Sequence, residues 1–201
     1  MRSSPEPSAS WSGIIAFLQT AERLKSTRRS AWTATGEPET VAAHSWRLTL
    51  LALILEDQFP EIRMDHVVRM LIVHDLGEAL HGDIPAPEQG AESKAATERR
   101  DLVEVIRPLP PAVADGILEL WDEYESCQTP EARLAKGLDK LETIMQHNQG
   151  VNPENFDYRF NLGYGRRFTS DDPRLAALRE LLDHDTLMRA AASGRSGPDT
   201  K

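Results

Sequence analysis

Apolar residues recur along most of the chain at the three-and-four spacing of a helix. Ile14, Phe17, Leu18, Ala21 and Leu24 make a first amphipathic stripe. Val41, His44, Leu48, Leu51 and Leu55 make a second, and Val67, Leu71, His74 and Glu78 share one face of a third. Leu102, Val105 and Ile106 belong to a fourth helix. Ile117, Leu120, Trp121 and Tyr124 belong to a fifth, entered through Pro111. Thr129-Pro130-Glu131 reads as a helix start: a capping hydroxyl, a proline and an acid near the positive dipole end. The helix it opens, over 130–149, carries Leu134, Leu138, Leu141 and Met145. Asp172-Pro173 opens the last helix, with Leu175, Leu178 and Leu182. No pair of segments reads as a hairpin. Phe156, Tyr158, Phe160, Leu162 and Tyr164 alternate strictly, as in a strand, but have no partner strand. They are expected to form an ordered loop, either as a satellite core or lining a pocket or subunit contact. The fold class is therefore all-α, one domain over 11–192, with Ser/Pro-rich residues 1–10 and Gly/Ser-bearing residues 193–201 as flexible tails.

Composition narrows the partners. The chain has 201 residues, with 23 Lys and Arg against 32 Asp and Glu, a net charge of −9. That balance argues against coating a nucleic-acid polymer through bulk positive charge, though local cations or a metal can still receive a small phosphate ester. The longest apolar stretch, Leu50 to Leu55, is far short of the roughly 20 residues of a bilayer span, so no membrane association is expected. The N-terminus has no apolar leader segment. The single cysteine, Cys127, excludes an intrachain disulfide and suits a reducing cytoplasm.

The chemistry lies where polar residues interrupt the stripes. His44 and His74 occupy positions where leucine would be expected, and Asp75 follows His74 directly after the apolar run VVRMLIV. One such histidine is usually a satisfied core residue; two ionisable side chains together after a core segment suggest a shared cation. Asp139 flanks Leu138 and Leu141, the position of an ordinary rim acid. Together His44, His74, Asp75 and Asp139 supply two imidazoles and two carboxylates from three helices, which a bundle can project onto one ion. Manganese, cobalt, iron, nickel and zinc all accept these ligands, and an octahedral ion would keep two positions for water and phosphate. Glu78, four residues after His74, lies one ~5.4 Å turn along the same face and is a candidate general acid or base.

The order His … His-Asp … Asp, set in PETVAAHSWR, LIVHDLGEALHGDIP, LWDEYE and AKGLDKLE, resembles the HD-domain phosphohydrolase superfamily, in its 5'-deoxynucleotidase-like branch. The resemblance runs from about Leu24 to about Leu182. It implies an all-α HD domain with an interior divalent metal held by His44, His74, Asp75 and Asp139. It also implies hydrolysis of 2'-deoxynucleoside 5'-monophosphates to deoxynucleoside and phosphate, and a homodimer. It gives Glu78 a catalytic role and places a pocket acid at Asp83, where HGDIP otherwise reads as a turn. It puts a phosphate-binding arginine at Arg29 with Trp32 behind it; some members carry the tryptophan immediately after the arginine, where this chain has Ser30. Lys136 is a further candidate phosphate cation. His81 is the only histidine between Asp75 and Asp139, which disfavours a two-metal site; it is expected in solvent. Ala79, following Glu78, argues against guanosine penta/tetraphosphate hydrolysis. The alternatives are a hydrolase of another small phosphate ester in a dedicated pathway, and a non-catalytic nucleotide-binding HD module.

Overall fold

The computed structural model describes residues 7–82 and 94–193. In chain order the helices are α1 (Pro7–Ala21), α2 (Val41–Ile54), α3 (Met64–Val73), α4 (Glu78–His81), α5 (Lys94–Ile106), α6 (Pro111–Ser126), α7 (Pro130–Gln149), α8 (Arg166–Thr169) and α9 (Pro173–Ser193). The expected helix starts are present. Thr129 Oγ1 accepts the Ala132 amide at 3.1 Å with Pro130 as the first residue of α7, Pro111 opens α6 and Pro173 opens α9; Thr40 Oγ1 caps α2 through Ala43, a start the pattern did not mark. α1 begins at Pro7, inside the segment expected to be a loose tail; residues 1–6 and 194–201 lie outside the described residues.

α7 is the axis of the domain. It packs against α2, α3, α6, α8 and α9. Thirteen of its residues are buried, too many for one amphipathic stripe, so it is enclosed on most sides. Leu138, Leu141 and Ile144 form the middle of the core, with Leu48 from α2, Met70 and Leu71 from α3, Leu102 from α5 and Trp121 from α6.

Two features depart from the expected pattern. The first is a hairpin: β1 (Arg28–Trp32) pairs antiparallel with β2 (Pro38–Thr40), with Arg28 opposite Thr40 and Trp32 opposite Pro38. Its arms are too short for alternation to stand out. Even so, Arg29 and Ala31 are more buried than Arg28 and Ser30, as period-two geometry requires. The second is the third helix, which does not run on through Glu78. Helix α3 ends at Val73, and the chain continues through tighter turns: Leu76 bonds to the Val73 carbonyl, Glu78 to Asp75 and Ala79 to Leu76. Such three-residue turns bring side chains at i and i+3 into line, so Asp75 and Glu78 superpose. Gly77 permits the segment to press on α5; a Cβ there would sit 2.6 Å from the Glu98 carbonyl oxygen. The aromatic segment expected as an ordered loop is one: a 3-10 turn, Tyr158–Leu162, leads to α8. No helix among the described residues is long and apolar enough to cross a membrane.

Candidate active site

His44, buried on α2, and His74, at the end of α3, bring their rings to 5.6 Å between centroids. Each ring is fixed through Nδ1. His74 Nδ1 donates to the Leu71 carbonyl at 2.8 Å, and because a carbonyl only accepts, the neutral ring has its lone pair on Nε2. His44 Nδ1 bonds to the Glu142 carboxylate on α7, which in turn accepts Arg47 Nε at 2.6 Å. Both Nε2 atoms are buried without a hydrogen-bond partner. They lie against acids: His74 Nε2 is 3.1 Å from Asp75 Oδ2, and His44 Nε2 is 3.3 Å from Asp139 Oδ1. Donor atoms of His44, His74 and Asp75 all fall within 4.8 Å of one another, and Asp139 joins from the His44 side.

This donor set fits a divalent cation. Buried polar atoms are normally paired, and imidazoles oriented through Nδ1 with Nε2 facing carboxylates are what a metal site provides. The electrostatics agree. Burial and Arg29 act to lower the His44 pKa, but the carboxylates of Asp139 and Glu142 outweigh them and raise it to about 9. A field that holds a proton there also holds a cation. Burial pushes Asp139 and Asp75 up, yet Lys140 and His44 bring Asp139 well below the carboxylate range, and His74 and Arg29 do the same for Asp75. Both are carboxylates at neutral pH.

Asp139 is itself held in place. Its Oδ2 accepts the Tyr124 hydroxyl at 2.9 Å and Lys140 Nζ at 2.8 Å, leaving Oδ1 toward His44. Burial and the facing Asp139 raise the Tyr124 pKa well above its usual value, so the phenol stays a donor.

Arg29 stands over this cluster. Its guanidinium lies 3.4 Å from Asp75 Oδ2, 3.2 Å from Thr143 Oγ1 and 3.5 Å from Glu39 Oε2. These distances are at the long end for hydrogen bonds, and the planar guanidinium matches the geometry of phosphate oxygens. Arg29 thus comes from a strand, not from the end of a helix. Glu78 is buried at the first turn of α4 and lines the same cleft, of about 870 Å³, as Arg29, His74, Asp75 and Asp139.

The other expected residues are placed less directly. Lys136 lines the cleft but is paired with Glu125 and lies 3.9 Å above the Tyr124 ring. Trp32 is not part of the cleft wall; it stands edge-on to Phe156, which is, with centroids 6.1 Å apart. Asp83 lies outside the described residues. His81 is largely exposed, as expected, and its Nδ1 pairs with Asp101 at 2.6 Å, away from the metal ligands. Reading the sequence missed Tyr124, Lys140, Glu142 and Thr143. The signal for Glu142 and Thr143 was their spacing, three and four residues past Asp139 on one helix.

Comparison with known proteins follows the same lines. Residues 21–179 match the family described as HD domain. A protein of Schizosaccharomyces pombe named 5'-deoxynucleotidase hdd1 is 36% identical over 140 residues, covering 66% of this chain and 70% of its own. The Dictyostelium discoideum 5'-deoxynucleotidase HDDC2 is 34% identical over 144 residues, 67% of this chain and 76% of its own. Among solved structures, a predicted metal-dependent phosphohydrolase from Magnetospirillum magnetotacticum superposes with a TM-score of 0.77 at 25% identity, covering 96% of this chain and 99% of the other.

Proposed function

Because the chain belongs to the HD-domain family, we propose that it is a metal-dependent phosphomonoesterase that hydrolyses 2'-deoxynucleoside 5'-monophosphates to deoxynucleoside and phosphate. The observation that carries this reading is the pair of buried, unpartnered Nε2 atoms facing Asp75 and Asp139, at the head of a cleft that also holds Arg29 and Glu78.

His44, His74, Asp75 and Asp139 would hold one divalent ion. When bound, the ion supplies Lewis acidity that offsets phosphoryl charge and acidifies water. The protein's own groups do the rest. Arg29 exchanges its long contacts with Asp75 and Thr143 for phosphoryl oxygens and sets the ester's orientation. Glu78 moves the proton: water adds to phosphorus, the bond to the 5'-oxygen breaks, and that oxygen leaves protonated. Lys136 adds positive charge beside the cleft, and Trp32 acts through Phe156. Asp83, outside the described residues, is proposed on the family resemblance as a contact to sugar or water.

We further propose that the enzyme is a homodimer of the cytoplasm. Support for the dimer is an apolar face on α1, α2 and α3, where Leu18, Trp46, Leu50, Leu53, Ile54 and Ile72 are all exposed. Covering them would remove on the order of 700 Å² from each copy, close to the ~800 Å² per partner of a standard interface. Support for the compartment is the lone, free Cys127.

Metal-reconstituted protein should release phosphate fastest from deoxynucleoside 5'-monophosphates when set against ribonucleotides and non-nucleotide esters. Release from no nucleotide overturns the assignment. Glu78→Gln should keep its metal and lose turnover by about 100-fold or more; a variant with full turnover takes Glu78 out of the chemistry.

A further inference from the structure

One wall of the cleft carries no group that holds the ion or moves a proton. Phe156, Phe160, Tyr164 and Phe168 line it, on a segment whose 3-10 turn and α8 pack against α7. Phe160 stands out, a large apolar ring left 49% exposed inside a cleft. Tyr164 lies beside it, with ring centroids 5.4 Å apart and planes tilted by 33°. The wall connects to the metal ligands through one side chain. Lys140 reaches Asp139 Oδ2 at 2.8 Å and lies 5.3 Å from the Tyr164 ring centroid. Gly165, at φ +68°, lets the backbone close over Lys140, where a Cβ would meet that side chain at 2.5 Å. The aromatic pair therefore begins one lysine side chain away from Asp139, in the part of the cleft open to a nucleotide's sugar and base.

Most of the wall's hydrogen-bonding groups are used internally, and Asn161 Nδ2, left without a partner, is buried. Arg179, buried on α9, donates to the carbonyls of Asn161, Leu162 and Tyr164. Asn161 Oδ1 is taken by His147, Arg166 bonds the Leu162 carbonyl and Asp183, and Arg167 lies over the Phe168 ring. Between Asp157 at one end and Arg166 and Arg167 at the other, what the wall presents to the cleft is ring surface.

We infer that Phe160, with Tyr164 beside it, is the stacking face for the nucleobase, reading the flat face that every base shares rather than its hydrogen-bonding edge. The inference rests on the nucleotide phosphatase reading and names the base subsite of that same cleft. It selects nucleotides over simple sugar phosphates while accepting purines and pyrimidines alike. Stacking on an aromatic side chain is strong enough for this and tolerant of base identity.

The test uses Phe160→Ala, a change at an exposed ring, with Phe160→Trp as the conservative variant. Three substrates are compared: deoxyadenosine 5'-monophosphate, thymidine 5'-monophosphate and 2-deoxyribose 5-phosphate. In Phe160→Ala, kcat/KM for both nucleotides should fall at least about fivefold, chiefly through KM. Hydrolysis of the sugar phosphate should be unchanged, and Phe160→Trp should restore the nucleotides. An equal fall on the sugar phosphate, or loss of only one of the two bases, overturns the inference. If wild-type protein cleaves no nucleotide, the failure belongs to the phosphatase reading. If it cleaves both and Phe160→Ala matches it, the failure belongs to the stacking face.

Discussion

Glu142 never faces the cleft, yet it decides which nitrogen of His44 does. Its carboxylate takes the Nδ1 proton and is itself anchored by Arg47. Glu142→Gln should therefore weaken metal binding by about 10- to 100-fold without removing a ligand, as partners of ligating histidines do elsewhere. Chelator competition on the folded variant measures this, and unchanged affinity would mean that α2 alone fixes the ring. His44 and His74 could be found in the sequence because a polar residue inside an apolar stripe contradicts the stripe. Glu142, Tyr124 and Lys140 could not be found this way. Acids, phenols and lysines are ordinary on helix rims; the spacing from Asp139 puts Glu142 on its face, and three-dimensional packing shows all three turned inward on His44 and Asp139.

At the scale of elements, long helices announce themselves through many repeats of one period, and their caps through Thr and Pro. The hairpin carrying Arg29 has arms of five and three residues, too few to establish a period. The break after Val73 was hidden because 3-10 turns keep nearly the same apolar spacing as a helix. One junction between elements also carries charge. Glu123 on α6 accepts Thr129 Oγ1 at 2.6 Å, at the cap of α7, and pairs with His66 of α3 at 2.7 Å. Burial raises its pKa, but these two partners outweigh burial and hold it below the ordinary 4.5. The folded pKa is thus lower than the unfolded one. The stabilisation is complete above pH 4.5 and is lost as pH falls through the folded value. Glu123→Gln should cost about 1 kcal/mol at neutral pH and flatten the acid limb of stability. Urea melts of both proteins over a pH series test this; parallel curves would show the junction to be inert.

For the molecule as a whole, the acidic balance of −9 extends into the cleft, where Arg29, Lys136, Lys140, Arg166 and Arg167 stand among Asp75, Glu78, Glu98, Glu125, Asp139 and Asp157, so a phosphate ester needs a bound cation to offset the acids. The opposite case, a nearly uncharged patch, is the face around Trp46 and Leu53. Leu53→Asp should convert a two-chain species to a single chain in sedimentation equilibrium while helicity is retained. A wild-type protein already at single-chain mass would remove that face from consideration as an interface. The sequence pattern could not expose this patch, because an outward-facing leucine and an inward-facing one look the same in a stripe.

α7 carries Asp139, Glu142, Thr143 and His147 on one buried rod. The cation ligand, the brace for a second ligand, the rest for the guanidinium and the prop of the aromatic wall cannot drift apart without bending that rod. Those four groups therefore separate only when the rod itself melts: the midpoint for lost catalysis should coincide with the midpoint of helix melting by circular dichroism.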